Sequence, residues 1–589
     1  MITLHLEFLM KNKTFHKAGL EYSTETVLYT GNFITVNKEQ PRATATIVKD
    51  GKILFVGTKE QAETYLSNEK MEYRLDTQFE GKTIVPGFIE AHMHPLIAAI
   101  FTGMFEYGGQ YDRLGVGGKL LKGCSTEESL KARLLALKKE HDLAGKTGEW
   151  LNLWGLDPLL MTDNTAVDRD FIDAVIDDSP VFFMHASCHL ACMNTKALEM
   201  VGYSLSDDPE FVRRENGRLT GDIAEMKDIY RALSVGAFNF GSDPAEIGKA
   251  LIGYANIAHS LGVTTVSDCG MGLPSNPYPL YQALSKNPAF KLRITAYPLI
   301  GPFELESVEA MKQHDNDRLS IGSVKYVNTD GSIQGFTANL LDGHTYYNGK
   351  PSTSLTRDVE EIYQASLPFH KAGYNISYHC NGNGTTEKLL DIIERMQSDT
   401  SMPEARHCLE HNQMVTDAQM DRMKSLGVCH NLFGTHIPVW GDVHATQTVG
   451  PELVKRLNPF QTSAQKGIPF SLHCDDGITQ VNPLFMIWGA MNRECIFSGN
   501  VYGEEECLNA EQALYAVTLG AAYLMNREHM IGSIEVGKLA DMAILDENIL
   551  EVDKKRVRDV HVHATMLGGE ISVHSPAQVR SSEQEFTHA

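Results

Sequence analysis

Six side chains with metal-binding or acid–base chemistry are spread over the chain, five of them at or near the end of a short apolar segment and one, a lysine, inside such a segment. They are His92, His94, Lys325, His379, His411 and Asp475. Residues i and i+2 of a strand face the same side, so the two imidazoles of His92-Met93-His94 can point into one site. Imidazole and carboxylate groups suit Zn²⁺, with Fe, Mn, Co or Ni as alternatives. The set predicts a divalent metal site, most simply zinc, with one or two ions per chain.

Lys325 lies in the middle of an apolar segment, SVKYVNTDG. Burying a lysine is costly unless its charge is removed or paired, and burial lowers the pKa of its amine. A neutral amine can react with CO₂ to give a carbamate, whose two oxygens can bridge two cations. The alternative is an ion pair with Asp330 or Asp475, and spacing alone does not decide between these two interpretations.

Two consecutive aspartates follow the last apolar segment, IPFSLHCDD. Side chains alternate between the two faces of a strand, so His473 and Asp475 share one face while Cys474 and Asp476 share the other. Only one of the two aspartates can then aim directly at the metals, provided that the strand stays regular to its end.

Eight apolar segments of strand length alternate with amphipathic helical segments in the middle of the chain. They are KTIVPGFIEAHMH, GVTTVSDCG, KLRITAYPLI, IGSVKYVNTDGS, YNISYHCNG, ARHCLEHN, GVCHNLFG and IPFSLHCDD. This alternation predicts an α/β fold with a (β/α)₈ TIM-type barrel, in which the carboxyl ends of the strands carry the chemistry. The first two segments are much farther apart than one helix requires, which predicts a large insertion over the barrel mouth at about residues 100–260.

Both ends of the chain are rich in short strands separated by hairpin-like turns such as TGN and KDGK. We therefore predict an N-terminal leader at 1–24, a small β-sandwich domain built from residues 25–83 and 533–577, and the barrel at 84–532.

The composition is that of a globular protein, with 42% hydrophobic and 22% charged residues among 589. Lys and Arg number 52 against 75 Asp and Glu, and the net charge of −23 disfavours nucleic acids and anionic membrane surfaces as partners. Neither a transmembrane run nor a signal peptide is predicted. The ten cysteines lack a CxxC pair, which excludes a disulfide framework or zinc ribbon and favours a reducing cytoplasm.

Several motifs resemble the amidohydrolase superfamily, namely TIVPGFIEAHMHP, VKYVNTDGS, RHCLEHNQ and GKLADMAILD. More narrowly, the chain is similar to amidohydrolase family 3, which includes YtcJ-like proteins and N-substituted formamide deformylase. The resemblance extends from about residue 26 to residue 575. It implies a metal-dependent hydrolase with a small-molecule substrate, and it leaves homo-oligomerisation open.

The resemblance also implies a role for each candidate residue. His92 and His94 match the ligands of the first strand, and Lys325 matches the carboxylated bridging lysine. His379 and His411 match the ligands of strands five and six. Asp475 matches the last-strand aspartate, which is both a ligand and a proton shuttle. His189, in HASCHLACMN, matches a histidine near the active-site mouth, although a structural hydrogen-bonding role is an equal alternative. The chain departs from the family pattern at Cys474, which replaces a serine, and in HCNGNG, which bears on the choice of substrate.

Together these features predict hydrolysis of a C–N bond in an amide, an N-formyl or N-acyl compound, or a cyclic amide. One alternative is a deaminase of the same superfamily. Such enzymes usually hold one metal, lack the bridging lysine and carry a glutamate after the strand-five histidine, whereas Lys325 is present here and no glutamate follows His379. A second alternative is a non-catalytic regulator or scaffold on the same barrel, for which lost ligands would be the sign; none is missing.

Overall fold

The computed structural model describes residues 22–207, 212–237, 243–273 and 275–574. Residues 1–21 of the predicted leader and residues 575–577 of the predicted second β segment lie outside this described part. Within it, no helix is long and apolar enough to cross a membrane. All ten cysteines are free thiols.

Strands from both ends of the described chain join in one eight-stranded sheet. Its strands are β1 (Val27–Ile34), β2 (Arg42–Lys49), β3 (Lys52–Gly57), β4 (Arg74–Asp76), β5 (Thr83–Pro86), β23 (Met542–Leu545), β24 (Val562–Leu567) and β25 (Glu570–Val573). The order is β25-β24-β23-β5-β1-β2-β3, with β4 paired to β1. Helix α1 (Lys59–Asn68) packs on β2 and β3. The two β-rich ends therefore share one sheet.

All eight predicted apolar segments of the middle region form parallel strands. These are β6 (Phe88–Glu90), β15 (Val263–Met271), β16 (Arg293–Pro298), the interrupted pair β17 (Leu319–Ile321) and β18 (Val324–Tyr326), β19 (Ile376–Cys380), β20 (Cys408–His411), β21 (Cys429–Phe433) and β22 (Phe470–His473). They pair in chain order as two parallel sheets, β6-β15-β16-β17 and β18-β19-β20-β21-β22.

Backbone hydrogen bonds join these two sheets at both edges. Ile300 donates to the carbonyl of Lys325 at 2.9 Å, and Asp475 donates to the carbonyl of His92 at 3.2 Å. The carboxyl ends of the first and last strands are therefore neighbours, which brings residues 92 and 475 together.

Helices connect or follow the parallel strands. They are α8 (Tyr278–Ser285), α9 (Leu305–Lys312), α10 (Val359–Lys371), α11 (Asn383–Asp399), α12 (Asp417–Leu426), α13 (His436–Val443), α14 (Gly450–Leu453), α15 (Phe460–Lys466), α16 (Pro483–Asn492), α17 (Ala510–Ala516) and α18 (Leu519–Leu524). Local chemistry sets their ends: Thr416 caps α12 through a capping box with Gln419, and Gly427 ends the helix with a φ of 68°.

The long segment between β6 and β15 folds around a six-stranded sheet of its own. Its strands are β7 (Glu106–Tyr107), β10 (Leu151–Leu156), β11 (Val181–His185), β12 (Leu190–Met193), β13 (Val212–Glu215) and β14 (Arg218–Ala224), with β8 (Arg113–Leu114) and β9 (Leu120–Leu121) as a separate pair. Its helices are α2 (Pro95–Met104), α3 (Glu127–Leu143), α4 (Arg169–Asp173), α5 (Thr195–Val201), α6 (Glu225–Ala232) and α7 (Pro244–Ser260).

Other elements cover both faces of the parallel strands. Every residue of β15 is buried, including the polar residues Thr264, Thr265, Ser267 and Asp268.

Candidate active site

All seven predicted site residues line one cavity at the carboxyl ends of the parallel strands. They are His92, His94, His189, Lys325, His379, His411 and Asp475. Six come from the ends of β6, β18, β19, β20 and β22 or the residues just beyond, and His189 comes from the turn between β11 and β12. The structure thus brings together residues that are nearly 400 positions apart in the chain.

Asp475 lies among three of the histidines. Its Oδ1 is 3.5 Å from Nε2 of His92 and 3.6 Å from Nε2 of His94, and its Oδ2 is 3.9 Å from Nε2 of His411. Ligand atoms of His92, His411 and Asp475 all lie within 4.8 Å of one another. Although Oδ1 is buried, it accepts no hydrogen bond from any described residue. These nitrogen and oxygen donors match the ligand chemistry of a divalent transition metal.

Burial keeps the imidazoles of the site neutral, which is the form that binds a cation. It lowers the pKa of His94 to about 4 and that of His379 to about 3, with the charge of Lys325 as the next cause. The pKa of His92 and that of His411 are also lowered, again chiefly by burial. Burial raises the pKa of Asp475 to about 7 despite the opposing charge of Lys325. A site of this kind gains from a cation, which would stabilise the ionised carboxylate.

His379 lies beside the other histidines but is held by local contacts. Its ring centroid is 4.9 Å from that of His411, and its Nε2 is 3.1 Å from the carbonyl oxygen of Gly331. Nε2 is also 3.2 Å from Nδ2 of Asn381 and 3.7 Å from Oδ1 of Asp330.

Lys325 is buried at 1% exposure, and its Nζ has no hydrogen-bond partner among the described residues. Neither of the ion pairs that the sequence left open, with Asp330 or with Asp475, is formed among the described residues. Asp330 instead accepts hydrogen bonds from the backbone of Asn339, Asn381 and Gly382. An amine that is buried without a partner fits a lysine that is completed by a group outside the polypeptide.

Glu410 is a site residue that the sequence reasoning missed. Its Oε2 is 2.6 Å from Nδ1 of His92, and it also accepts hydrogen bonds from Asn431 Nδ2 at 2.7 Å and from the Ser377 hydroxyl. Such a carboxylate fixes the tautomer and orientation of a metal-binding imidazole and raises its basicity. The available signal was its place directly before His411 in LEHNQ. Strict alternation would have turned Glu410 away from His411, but the φ of 66° at His411 ends the regular strand there.

The register argument for the two aspartates assumed a strand that is longer than the one observed. Strand β22 ends at His473, and Asp475 has a left-handed φ of 54°. Asp475 nevertheless faces the cavity, whereas Asp476 contacts the insertion. Asp476 pairs with Arg113, accepts a hydrogen bond from Tyr254 Oη at 2.9 Å, and accepts another from the backbone of Val481 at 2.8 Å.

His189 lines the cavity, and its backbone N–H donates to Ser187 Oγ at 3.3 Å. The wall around it is mostly apolar. The six candidate ligands and a partly apolar cavity above them are what a binding site for a small organic molecule requires.

Comparison with known proteins agrees with this site. A profile of the amidohydrolase family matches residues 79–573. The chain belongs to the amidohydrolase family. This chain is similar to Protein LONG AFTER FAR-RED 3 of Arabidopsis thaliana. The two are 24% identical over 565 residues, and the alignment covers 92% of this chain and 90% of the relative. N-substituted formamide deformylase of Arthrobacter pascens is 24% identical over 562 residues, covering 92% and 97%.

The fold is shared with a solved structure as well. An uncharacterized metal-dependent hydrolase from Pyrococcus horikoshii superposes with a TM-score of 0.67 at 21% identity, covering 90% of this chain and 99% of the other. The family profile confirms the resemblance that was inferred from the sequence motifs.

Proposed function

We propose that this protein is a metal-dependent hydrolase that cleaves a C–N bond of an amide, an N-formyl or N-acyl compound, or a cyclic amide. The observation that carries the proposal is the convergence of His92, His94, His411 and Asp475 in one buried site. Family membership and relatives whose names include a formamide deformylase support the same reaction class.

His92, His94, His379, His411 and Asp475 would hold the metal, most simply Zn²⁺. Lys325 would be carboxylated and would bridge two cations, and its partnerless Nζ supports this assignment. When bound, the metal would lower the pKa of a water molecule towards neutrality and polarise the carbonyl group of the substrate.

The remaining steps fall to the side chains of this chain. Asp475 would accept a proton from the attacking water and transfer it to the leaving nitrogen as the C–N bond breaks. Glu410 would keep the ring of His92 in the orientation that presents Nε2 to the site. The apolar residues of the cavity would exclude bulk water around the reacting carbonyl.

The closed barrel belongs to the same proposal. The in-order parallel pairing of the strands and the hydrogen bonds at both sheet edges support it. In such a barrel the ends of several different strands supply the reacting groups, which is the arrangement proposed for this chain.

The test is the metal content and hydrolytic rate of the purified protein and of Lys325→Ala. Elemental analysis should find roughly one to two transition-metal ions per chain of the active protein. Lys325→Ala should lose both metal and activity, and short carboxylates such as acetate or propionate should restore part of both. A matched control is Lys291→Ala, which removes a lysine whose Nζ donates to Ser572 far from the site and should change neither.

Active protein without metal would refute the metal-dependent reaction. Full metal content and rate in Lys325→Ala would refute the bridging role alone. Bound metal without hydrolysis of any N-formyl, N-acyl or cyclic amide would favour the regulatory alternative. Release of ammonia from an amino-substituted ring would favour the deaminase.

A further inference from the structure

One wall of the active-site cavity is apolar and comes from the insertion. We call it the apolar wall; it consists of Phe101 in α2, Met184 in β11, Ile229 in α6 and Leu233 just after α6. All four side chains are buried. Such a surface gains free energy by covering an apolar group and disfavours a charged one.

Few charged side chains line the cavity. Among the described lining residues, Lys325 is the only lysine or arginine, and the proposed function converts its amine to a carbamate; the carboxylates are those of Asp330 and Asp475. Both oxygens of Asp330 accept backbone hydrogen bonds, and Asp475 lies against the candidate metal ligands. A charged substituent on the substrate would therefore be buried without a counter-charge.

The cavity lining also carries amide side chains, Asn381 and Gln413, whose orientation follows from a chain of hydrogen bonds. The Gly331 carbonyl can only accept, and it receives Asn381 Nδ2 at 2.7 Å. This turns Asn381 Oδ1 towards Gln413 Nε2, which donates to it at 2.6 Å. Gln413 Oε1 is consequently left as a buried acceptor without a partner among the described residues.

Resting on the proposed function, we infer that the substrate is an uncharged secondary amide. Its N–H donates to Gln413 Oε1, and its apolar substituent packs against the apolar wall. Gln413 is then a specificity residue that selects for an N–H group, since a buried acceptor that stays unpaired costs free energy.

The experiment compares three substrates of the metal-loaded enzyme: N-hexylformamide, N-hexyl-N-methylformamide and 6-formamidohexanoate. The first has an N–H and an uncharged chain, the second lacks the N–H, and the third carries a terminal carboxylate. We expect kcat/KM to be at least about tenfold lower without the N–H and roughly 100-fold or more lower with the carboxylate.

Gln413→Met tests the hydrogen bond directly. It should lower kcat/KM for N-hexylformamide by about tenfold and leave the N-methyl compound unchanged, so that the preference for an N–H disappears. Gln461→Met is the matched control, because Gln461 also has a buried Oε1 without a partner but does not line the cavity. A preference that persists in Gln413→Met would overturn the role of Gln413.

Leu233→Lys adds a cation to the apolar wall and should raise kcat/KM for 6-formamidohexanoate relative to N-hexylformamide by at least about tenfold. Leu205→Lys introduces the same change at an exposed leucine of the insertion and should have no effect. If Leu233→Lys does not fold, Leu233→Phe is used instead. The larger side chain fills part of the cavity, so formamides with a shorter N-alkyl chain should become the preferred substrates. Equal rates for the charged and uncharged substrates of the wild type would overturn the inference.

A binding measurement separates this inference from the proposed reaction. Calorimetry with N-hexylmethanesulfonamide, its N-methyl derivative and its ω-carboxylated analogue does not depend on turnover. If the N–H compound binds more tightly than its N-methyl and carboxylated analogues but no amide is hydrolysed, the proposed function is refuted and the inferred class of bound molecule is supported. Hydrolysis with no such order would refute the substrate class alone.

Discussion

Asp475 and Asp476 are consecutive, yet their substitution should separate catalysis from stability. Asp475 faces the histidines of the site, and its Oδ1 accepts no hydrogen bond from the part of the chain that the structure describes. Asp476 pairs with Arg113, whose guanidinium also lies 4.4 Å from the ring centroid of Trp154. We predict that Asp475→Asn lowers kcat by about 10²–10⁴-fold, because an amide cannot accept and return a proton.

The expected cost of Asp476→Asn follows from burial. Arg113 is 3% exposed and Asp476 is 1% exposed, so the substitution leaves an uncompensated guanidinium in the interior. Breaking such a pair from one side costs about 3–5 kcal/mol in the free energy of unfolding. Asp475→Asn should change this quantity by less than about 1 kcal/mol, since its Oδ1 contributes no protein hydrogen bond. The loss in kcat for folded Asp476→Asn should stay below about tenfold.

The assay is chemical denaturation of the metal-free proteins, so that metal binding does not shift the midpoints, followed by kcat measurements on the metal-loaded proteins. Arg113→Met combined with Asp476→Leu should be more stable than either single variant, because no buried charge is left unpaired. Equal stability of the two asparagine variants, or a larger loss of activity in Asp476→Asn, would refute the reasoning.

Three further predictions concern residues around the site. Burial raises the pKa of Asp268 from 3.8 to about 7, so the native state keeps a proton that the unfolded chain has released. The free energy of unfolding should therefore fall as the pH rises between about 4 and 7. Asp268→Asn should flatten this pH dependence in urea titrations, and an unchanged slope would contradict the prediction. Glu410→Gln should weaken zinc affinity by about 10–100-fold in competition with a chelator, and unaltered affinity would argue against its contact with His92 as a positioning interaction. Gly270→Ala would place Cβ 2.8 Å from Cε1 of His94, so the imidazole ring must move and kcat should drop by about 100-fold. Gly248→Ala is the control: its Cβ would lie 3.7 Å from the nearest atom, and kcat should not change.

The sequence alone predicted the strands, and it marked candidate ligands that line one cavity in the structure. Segments of strand length that are rich in apolar and β-branched residues predicted all eight parallel strands. The i, i+2 spacing placed His92 and His94 on one side, and the ends of the other segments marked His379, His411 and Asp475. These signals are local: the alternation of side chains along a strand depends on the backbone of neighbouring residues and not on which distant segment packs against it.

Contacts between distant segments were decided only by the tertiary structure. Glu410 meets His92 across 318 positions, and Arg113 of the insertion meets Asp476 across 363. Sequence periodicity identifies which face of a strand a side chain lies on, but it does not identify the segment that packs against that face. It also fails where a residue adopts a left-handed backbone conformation, as His411 and Asp475 do. The unpaired acceptor of Gln413 and the apolar wall likewise exist only because loops and the insertion converge over the strand ends.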